Sequence, residues 1–246
     1  MPNASPQGLS AVVLAGGFGT RIRHLTGTVP KPLAQVNGKP FLHWIFKSLK
    51  AQQIREVYLL THYEAEQIEA YARSERSSDF EIACIRESSP AGTGGSVLDF
   101  LVQHPNISSP FLILNGDSML VDYDLAVAVE CMGADYSGAI FGVEMQDASR
   151  YGTLTFNKQY TLTAFQEKTP GAGVINSGVY LFRPESLMQS DSKTRPLSME
   201  QDIIPSLLEK GMKIKIIPEI SPFIDIGTEA SLGESGDFIK LHFENN

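Results

Sequence analysis

A glycine-rich segment carries three basic side chains in close succession. It reads LAGGFGTRIRHLTGTVPKPL over residues 14–33. Glycines let backbone N–H groups approach phosphate oxygens more closely than bulkier residues would allow. Arg21, Arg23 and Lys31 place three positive charges within eleven residues, with no acidic side chain between them. The segment is therefore a candidate phosphate-binding loop, and the alternative is a flexible, solvated surface loop.

The glycine spacing differs from that of the two most common nucleotide loops. A Rossmann loop requires GxGxxG, and Ile22 stands at the third glycine position counted from Gly17. A P-loop requires GxxxxGK[ST], which the sequence does not contain. We therefore expect a phosphate site of another type.

Two aspartates form a second candidate constellation. Asp117 follows the apolar run FLILNG, at the end of a predicted strand where open α/β sheets bind ligands. Asp225 lies between Ile224 and Ile226, where an unpaired charge would be costly. Mg²⁺ prefers hard oxygen ligands and often takes one or two carboxylates together with substrate phosphates. The pair is therefore a candidate metal site, and the alternative is that each aspartate caps a helix or turn.

Strand and helix patterns alternate in the first half of the chain. The apolar run 11–15 is bounded by glycines, which predicts a buried parallel strand leading into the candidate loop. Alternation of this kind favours right-handed βαβ units. The further predicted strands are 56–63, 80–87 and 111–117, and the predicted helices are 41–49, 64–75, 93–103 and 124–132.

The pattern changes after Asp135, where strands follow one another directly. A short turn near Lys158–Tyr160 joins two of them. We expect an α/β fold, a three-layer sandwich with a mostly parallel central mixed sheet, in one domain at 10–246 after a disordered lead at 1–9. The predicted elements are strands at 136–144, 152–157, 161–168, 178–183 and 213–219, and helices at 198–211 and 228–243.

Composition excludes several classes of protein. The net charge of −8 argues against general nucleic-acid binding, because phosphate backbones recruit basic surfaces. Cys84 and Cys131 are far apart and indicate neither a disulfide framework nor a zinc site. No run approaches the ~20 apolar residues of a membrane span, and the first nine residues lack the features of a signal peptide. We expect a cytoplasmic protein without membrane association; its oligomeric state, a homodimer included, stays open.

The pattern LAGGxGTR followed by PKPL resembles the signature of the sugar 1-phosphate nucleotidylyltransferases. Family-like segments follow in order from Ser10 to Ile239: SSPAGTGGS, NGD, EK at 167–168, VINSGVYLF and FIDIGT. The resemblance implies a fold of the nucleotide-diphospho-sugar transferase type. It also implies a nucleoside triphosphate and a sugar 1-phosphate as substrates and pyrophosphate as a product.

Within the family, the chain most resembles bacterial D-glycero-D-manno-heptose 1-phosphate guanylyltransferases. GTP and heptose 1-phosphate are the substrates that this implies, in the supply of lipopolysaccharide or capsule precursors. The alternative is a uridylyl- or thymidylyltransferase acting on a hexose 1-phosphate or on N-acetylmuramate 1-phosphate.

Such a transfer depends on positioning and charge neutralisation. A phosphate oxygen of the sugar 1-phosphate attacks the α-phosphorus in line, and a phosphate dianion needs no general base. The resemblance implies that Arg21 holds the triphosphate and stabilises the leaving pyrophosphate, while Lys31 bridges the phosphates. It implies that Asp117 and Asp225 hold Mg²⁺.

The remaining assignments also come from the resemblance. Glu87 is expected to recognise guanine, because a carboxylate can accept from both N1–H and the N2 amino group; the alternative is that backbone groups near Gly92 read the base. Lys168 is expected to bind the sugar phosphate and Glu167 the sugar hydroxyls, unless both are a solvated strand end. The nucleotide set is Leu14, Ala15, Gly16, Gly17, Gly19, Thr20, Glu87, Gly92 and Thr93, and the acceptor set is Asn115, Gly152, Glu167, Lys168 and Asn176.

Two other functions can be weighed against particular residues of the sequence. Asp122-Tyr123-Asp124 spells the Asp-x-Asp motif of a glycosyltransferase, but Asp124 has the position of a helix N-cap. A non-catalytic homologue that binds nucleotide sugars or other subunits would typically lose the basic and acidic residues, and this chain keeps Arg21, Lys31, Asp117 and Asp225.

Overall fold

A mixed sheet of nine strands, built from both halves of the chain, runs through the part of the protein that the structure describes. The structure, a computed structural model, describes residues 8–166, 170–191 and 194–244. The strands in chain order, including four short ones outside the main sheet, are β1 Ser10–Leu14, β2 Gln35–Val36, β3 Lys39–Pro40, β4 Glu56–Thr61, β5 Glu81–Arg86, β6 Phe111–Asn115, β7 Ser118–Leu120, β8 Gly138–Met145, β9 Thr153–Phe156, β10 Leu162–Gln166, β11 Gly173–Phe182, β12 Ile214–Glu219 and β13 Phe223–Asp225.

The front of the sheet is parallel, in the order β5-β4-β1-β6. Leu14 pairs with Leu60 and with Asn115, so β1, β4 and β6 end at one edge. β11 lies antiparallel to β6 and continues the sheet into β8 and the β9–β10 hairpin, and β12 joins β8 in parallel. Ligands bind beyond the carboxyl ends of strands in such sheets, which directs attention to the edge after Leu14.

Helices cover both faces of the sheet. They are α1 Arg23–Thr26, α2 Phe41–Ala51, α3 Ala65–Glu75, α4 Thr93–Gln103, α5 Leu125–Met132, α6 Pro184–Leu187, α7 Ile204–Glu209 and α8 Glu229–Ile239. Successive strand residues point to opposite faces, so Ala11 and Val13 enter one core with α2, α3, α5 and α8, while Val12 enters the other with α4, α6 and α7. The predicted three-layer α/β fold is therefore confirmed. None of these helices in the described ranges is long and apolar enough to cross a bilayer.

Several segments begin, end or continue differently from what the sequence predicts. β11 begins at Gly173 rather than at 178. The helices predicted at 198–211 and 228–243 each include a π-helical turn, at Met199–Ile203 and Lys240–Glu244. Leu9, expected in the disordered lead, is buried in the core, while residues 1–7 lie outside the described ranges.

Two three-residue strands were not expected at all. β7 and β13 pair antiparallel, with Ser118 opposite Asp225. Segments this short carry no periodic pattern, so their pairing partner is set by tertiary packing. The pairing places β13 at the edge of the sheet where β6 ends.

Candidate active site

Two adjoining cavities open at the edge of the sheet where β1 and β6 end. One, of about 470 Å³, is lined mainly by the glycine-rich loop and the segment 87–96, and we call it the loop cavity. The other, of about 420 Å³, is lined mainly by residues near β7, β11 and β13, and we call it the strand cavity. Both are lined by Arg21, Lys31, Asn115, Asp117 and Gly227. These shared residues form the boundary at which two substrates would meet.

The nine residues predicted to bind nucleotide all line the loop cavity. Gly19 has φ 58°, a left-handed conformation that glycine adopts without strain, and a short 3₁₀ turn at Thr20–Ile22 follows it. Ile22 is fully buried and anchors the turn in the core. A Cβ on Gly19 would lie 3.2 Å from Cβ of Lys31, so glycine lets the lysine stem pass close to the loop.

Glu87 faces the loop cavity and organises the segment that follows it. Its Oε2 accepts a hydrogen bond from the backbone N–H of Ala91 at 3.2 Å, and its Oε1 accepts from the Ser96 hydroxyl at 2.7 Å. The carboxylate thus lines the cavity rather than pointing into solvent. A carboxylate has about four acceptor positions, so these two bonds leave capacity for a ligand donor.

Gly92 is held against a segment that is far away in the sequence. Its φ is 79°, and a Cβ there would lie 2.7 Å from the backbone nitrogen of Leu197. Leu197 donates its N–H to Ala91 and accepts from the N–H groups of Gly94 and Gly95, at 2.8 to 3.1 Å. Any larger residue at position 92 would separate these backbones, and the wall of the loop cavity would move.

The Lys31 ammonium is paired with one of the two candidate metal-binding aspartates. Lys31 Nζ donates to Oδ2 of Asp117 at 2.6 Å, and only 13% of the lysine side chain is exposed. A Cβ built on Gly227 would lie 3.3 Å from Lys31 Nζ and 2.6 Å from Oδ1 of Asp225. The ammonium and the second carboxylate therefore face the same small space beside Gly227.

Asp225 is held by three donors. Its Oδ1 accepts from the backbone N–H of Gly227 at 2.7 Å, and its Oδ2 accepts from Arg150 at 3.2 Å and from the Tyr151 hydroxyl. Burial raises the pKa of Tyr151, and the hydrogen bond to Asp225 adds to this, so the phenol keeps the proton it donates. The bond from Gly227 is the local capping expected as the alternative, but the same carboxylate also lines the strand cavity.

The β7–β13 pair is what joins Asp225 to Asp117. Asp225 lies opposite Ser118, the residue that follows Asp117. The N–H of Ile226 also donates to the carbonyl of Asp117, at 2.9 Å. Two carboxylates from distant segments are thereby placed along one wall of the strand cavity.

The two carboxylates fit a metal that arrives with a phosphate ligand. Among the described residues, no group of three or more His, Cys, Asp and Glu side chains forms a metal cluster. Asp117 and Asp225 both line the strand cavity, and their carboxylate oxygens are ligands of the kind that Mg²⁺ prefers. The remaining positions of its shell would be filled by water and phosphate oxygens, as is usual for Mg²⁺.

The residues predicted to bind the acceptor do not all line a cavity. Asn115 and Asn176 line the strand cavity, whereas Gly152 is not among the described residues that line either cavity. The carbonyl of Gly152 accepts the backbone N–H of Asn176 at 2.9 Å and so supports β11. Glu167 and Lys168 lie outside the described residues.

Arg150 and Tyr151 line the strand cavity and were missed from the sequence. Arg150 also lies 3.4 Å from the Thr228 hydroxyl, and its guanidinium stacks on the Tyr151 ring. The available signal was a basic and an aromatic residue directly before the glycine that opens the predicted strand at 152. The strand cavity thus contains a third cation, beside Arg21 and Lys31.

The Asp-x-Asp segment does not form a metal site. Asp124 accepts from the backbone N–H groups of Ala126 and Val127, at 2.8 and 3.0 Å, and caps α5 as predicted. Tyr123 is buried, and neither aspartate of the segment lines the two described cavities. The structural context expected of the glycosyltransferase motif is therefore not observed in this segment.

Comparison with known proteins covers nearly the whole chain. A model of the family described as nucleotidyl transferase matches residues 10–240. D-glycero-alpha-D-manno-heptose 1-phosphate guanylyltransferase from Campylobacter jejuni is 35% identical over 221 residues, 89% of this chain and 95% of that protein. The protein of the same description from Aneurinibacillus thermoaerophilus is 33% identical over 225 residues, 89% of this chain and 93% of that protein.

A solved structure of HddC from Yersinia pseudotuberculosis, complexed with GMP-PN, has a similar fold. It superposes with a TM-score of 0.81 at 29% sequence identity and covers 94% of this chain and 100% of its own. The family match extends over the strands and loops that line both cavities.

Proposed function

Because the chain belongs to the nucleotidyl transferase family, we propose that it transfers a guanylyl group from GTP to D-glycero-α-D-manno-heptose 1-phosphate and releases pyrophosphate. The observation that carries this proposal is the pair of adjoining cavities that share Arg21, Lys31 and Asp117. Two relatives that match most of the chain are described as guanylyltransferases of this heptose phosphate.

The geometry supports binding of one substrate in each cavity. GTP occupies the loop cavity, with its phosphates along the glycine backbone and directed toward the shared residues. The sugar 1-phosphate occupies the strand cavity, so that its phosphate faces the α-phosphorus across the boundary. Arg21 and Lys31 then lie where negative charge accumulates on the bridging and leaving oxygens, and fixed cations at such a place lower the barrier.

We propose Mg²⁺ as the cofactor, held by Asp117 and Asp225. When bound, the ion neutralises phosphate charge and helps to align the reacting groups. Arg150 and Tyr151 donate hydrogen bonds to Asp225, so its carboxylate is oriented before substrates arrive. Lys31 must leave Asp117 for the phosphates when the nucleotide binds, which frees that carboxylate.

The nucleobase is proposed to lie beside Glu87. The carboxylate is held by Ala91 and Ser96 and faces the cavity. Guanine offers two adjacent donors to it, whereas uracil and thymine offer one donor flanked by carbonyl oxygens.

On the acceptor side, Asn115, Asn176 and Arg150 face the cavity, and we propose Glu167 and Lys168 as further contacts. The cellular role that we propose, cytoplasmic synthesis of a nucleotide sugar for lipopolysaccharide or capsule, rests on the sequence resemblance.

A substrate matrix tests the proposal. GTP, UTP, dTTP, CTP and ATP are each combined with the 1-phosphates of D-glycero-α-D-manno-heptose, mannose, glucose and N-acetylmuramate. Pyrophosphate release and the mass of the product are measured without any second acceptor. We expect the highest kcat/KM for GTP with heptose 1-phosphate. A preference for UTP or dTTP would overturn the guanine assignment, and no pyrophosphate from any pair would overturn nucleotidyl transfer.

A further inference from the structure

The Tyr180 hydroxyl connects a residue of the strand cavity to a half-buried carboxylate, that of Glu200. Tyr180 lies in β11 and is fully buried. Its oxygen accepts a hydrogen bond from Nδ2 of Asn176 at 2.6 Å and donates to Oε1 of Glu200 at 2.7 Å. Asn176 itself lines the strand cavity. Neither Tyr180 nor Glu200 lines either described cavity, so both would act through Asn176.

The Glu200 carboxylate determines which group donates in each of these hydrogen bonds. An ionised carboxylate only accepts hydrogen bonds, so the phenol must donate its single proton to Glu200. Burial and the nearby charge of Glu200 raise the pKa of Tyr180 well above its usual value, so that proton stays in place. The phenol therefore has only lone pairs to offer Asn176, which must present its NH₂ group and not its carbonyl oxygen.

A second neighbour imposes the same orientation on the amide. The backbone N–H of Gly178 donates to Oδ1 of Asn176 at 3.1 Å. A flipped amide would place two donors against each other at Gly178 and two acceptors against each other at Tyr180. Both contacts therefore select one of the two amide orientations.

Glu200 contacts two hydroxyl side chains, one of which lines the loop cavity. Its Oε2 accepts from the Ser198 hydroxyl at 2.8 Å, and Ser198 caps the π-helical turn that contains Glu200. The Thr93 hydroxyl lies 3.4 Å from the same oxygen and accepts the backbone N–H of Met199 at 2.9 Å. Thr93 begins α4 and lines the loop cavity. The hydrogen bonds thus run from one substrate cavity to the wall of the other.

We propose that Tyr180 and Glu200 are positioning residues that fix the Asn176 amide so that it presents an N–H donor to the acceptor sugar. This rests on the proposed function of the strand cavity as the sugar 1-phosphate site. One hydrogen of the amide nitrogen is used by Tyr180, and the second is the donor assigned to the substrate. The site then requires a sugar oxygen that accepts a hydrogen bond, and an acceptor lacking that oxygen leaves the N–H unpaired.

Two variants test the proposal, with one matched control. Tyr180→Phe removes the hydroxyl and keeps the ring. Glu200→Gln keeps the shape but introduces a donor, so the direction of the hydrogen bonds is no longer imposed. Tyr136→Phe is the control, because Tyr136 loses a comparable bond, 2.9 Å to the Thr161 hydroxyl, away from both cavities. Thermal unfolding checks that each variant is folded.

The measurement is the steady-state KM and kcat for GTP and for the acceptor that the wild type uses best. We expect Tyr180→Phe and Glu200→Gln each to raise the KM for the sugar 1-phosphate roughly tenfold, which is the usual effect of losing one oriented hydrogen bond. The KM for GTP should change by less than about twofold, and Tyr136→Phe should change neither.

Deoxy analogues separate positioning from a general structural effect. The wild type and both variants are compared on the sugar 1-phosphate that the wild type uses best and on its 2-deoxy, 3-deoxy and 4-deoxy analogues. For the analogue that lacks the recognised oxygen, the difference between wild type and variant should disappear. An unchanged acceptor KM in Glu200→Gln, equal increases in both KM values, or an equal loss on every analogue would overturn the proposal. Failure of the wild type to release pyrophosphate would instead overturn the proposed function, so the two failures are distinguishable.

Discussion

The Lys31 ammonium lies 2.6 Å from Oδ2 of Asp117 and faces Asp225 across Gly227. Each of the two carboxylates that we propose as metal ligands is thus paired with a side-chain cation, Asp117 with Lys31 and Asp225 with Arg150. Only 13% of the lysine side chain is exposed, whereas 42% of the Asp117 side chain is. We infer that Lys31 and a divalent ion would compete for the Asp117 carboxylate until the phosphates of a nucleotide draw the lysine away.

We predict that the nucleotide and the metal bind cooperatively. Mn²⁺ binding to the free protein, followed by electron paramagnetic resonance, should tighten about tenfold or more when a non-hydrolysable GTP analogue is present. Lys31→Ala should tighten binding to the free protein, because it removes the competing cation. Lys47→Ala is the control, since that lysine donates to the carbonyl of Phe243 far from the site. Equal Mn²⁺ affinity with and without the analogue would contradict the competition.

We predict that transfer depends on a divalent ion and that Asp117→Asn and Asp225→Asn raise the Mg²⁺ needed for half-maximal rate. Each change removes one negative charge at nearly constant shape, so the expected increase is about tenfold or more. The readout is the rate of pyrophosphate release across a Mg²⁺ titration. Full activity in excess chelator would exclude the metal, and unchanged titrations in both variants would place its ligands elsewhere.

We predict that Arg21→Ala and Lys31→Ala each lower kcat by roughly 10²–10³ without unfolding the protein. Both side chains reach the boundary between the cavities, and neither belongs to the hydrophobic core. Arg21→Lys should restore activity only in part, because an ammonium lacks the planar fork of the guanidinium. Single-turnover kinetics and thermal unfolding provide the check, and near-normal turnover in either alanine variant would remove that residue from the mechanism.

We predict that Lys168→Ala and Arg150→Ala both weaken binding of the sugar 1-phosphate. The apparent KM for the sugar phosphate should rise several-fold to about tenfold, and that for GTP far less, because each change removes a cation proposed to face the acceptor. Arg150→Ala should also raise the Mg²⁺ requirement, since Arg150 holds Asp225. Should the KM for GTP rise instead, the residue concerned belongs to the nucleotide site.

We predict that Glu87→Gln reduces the preference for GTP over UTP and dTTP. The change replaces an acceptor by a group that also donates, and the loss of a charged acceptor is expected to cost about 1–3 kcal/mol. The measurement is kcat/KM for all five triphosphates in the wild type and the variant. Because Glu87 also accepts from Ala91 and Ser96, Ser96→Ala is the control for loop distortion. An unchanged ranking would show that another group, such as the backbone near Gly92, reads the base.

Local patterns in the amino-acid sequence were enough to predict the fold class, the family and a candidate phosphate-binding loop. Alternating strand and helix patterns are local periodicities, so β1, β4, β5, β6 and the helices between them were predicted close to their observed bounds. The glycines at 16, 17 and 19 and the basic residues at 21 and 31 lie within one short segment, so their proximity needs no long-range pairing. The family match over residues 10–240 confirms the predicted nucleotidyltransferase.

The contacts between residues that are distant in the sequence could be found only in the folded protein. Asp225 reaches Asp117 through the pairing of β7 and β13, and Arg150 reaches Asp225 from the loop before β9. The buried Tyr180 donates to Glu200, which is 20 residues further along the chain. Such contacts join segments that carry no shared period, and each partner is selected by packing, by charge and by the need to satisfy buried polar groups. A local pattern shows which residues can do chemistry, whereas the folded sheet decides which of them face the same substrate.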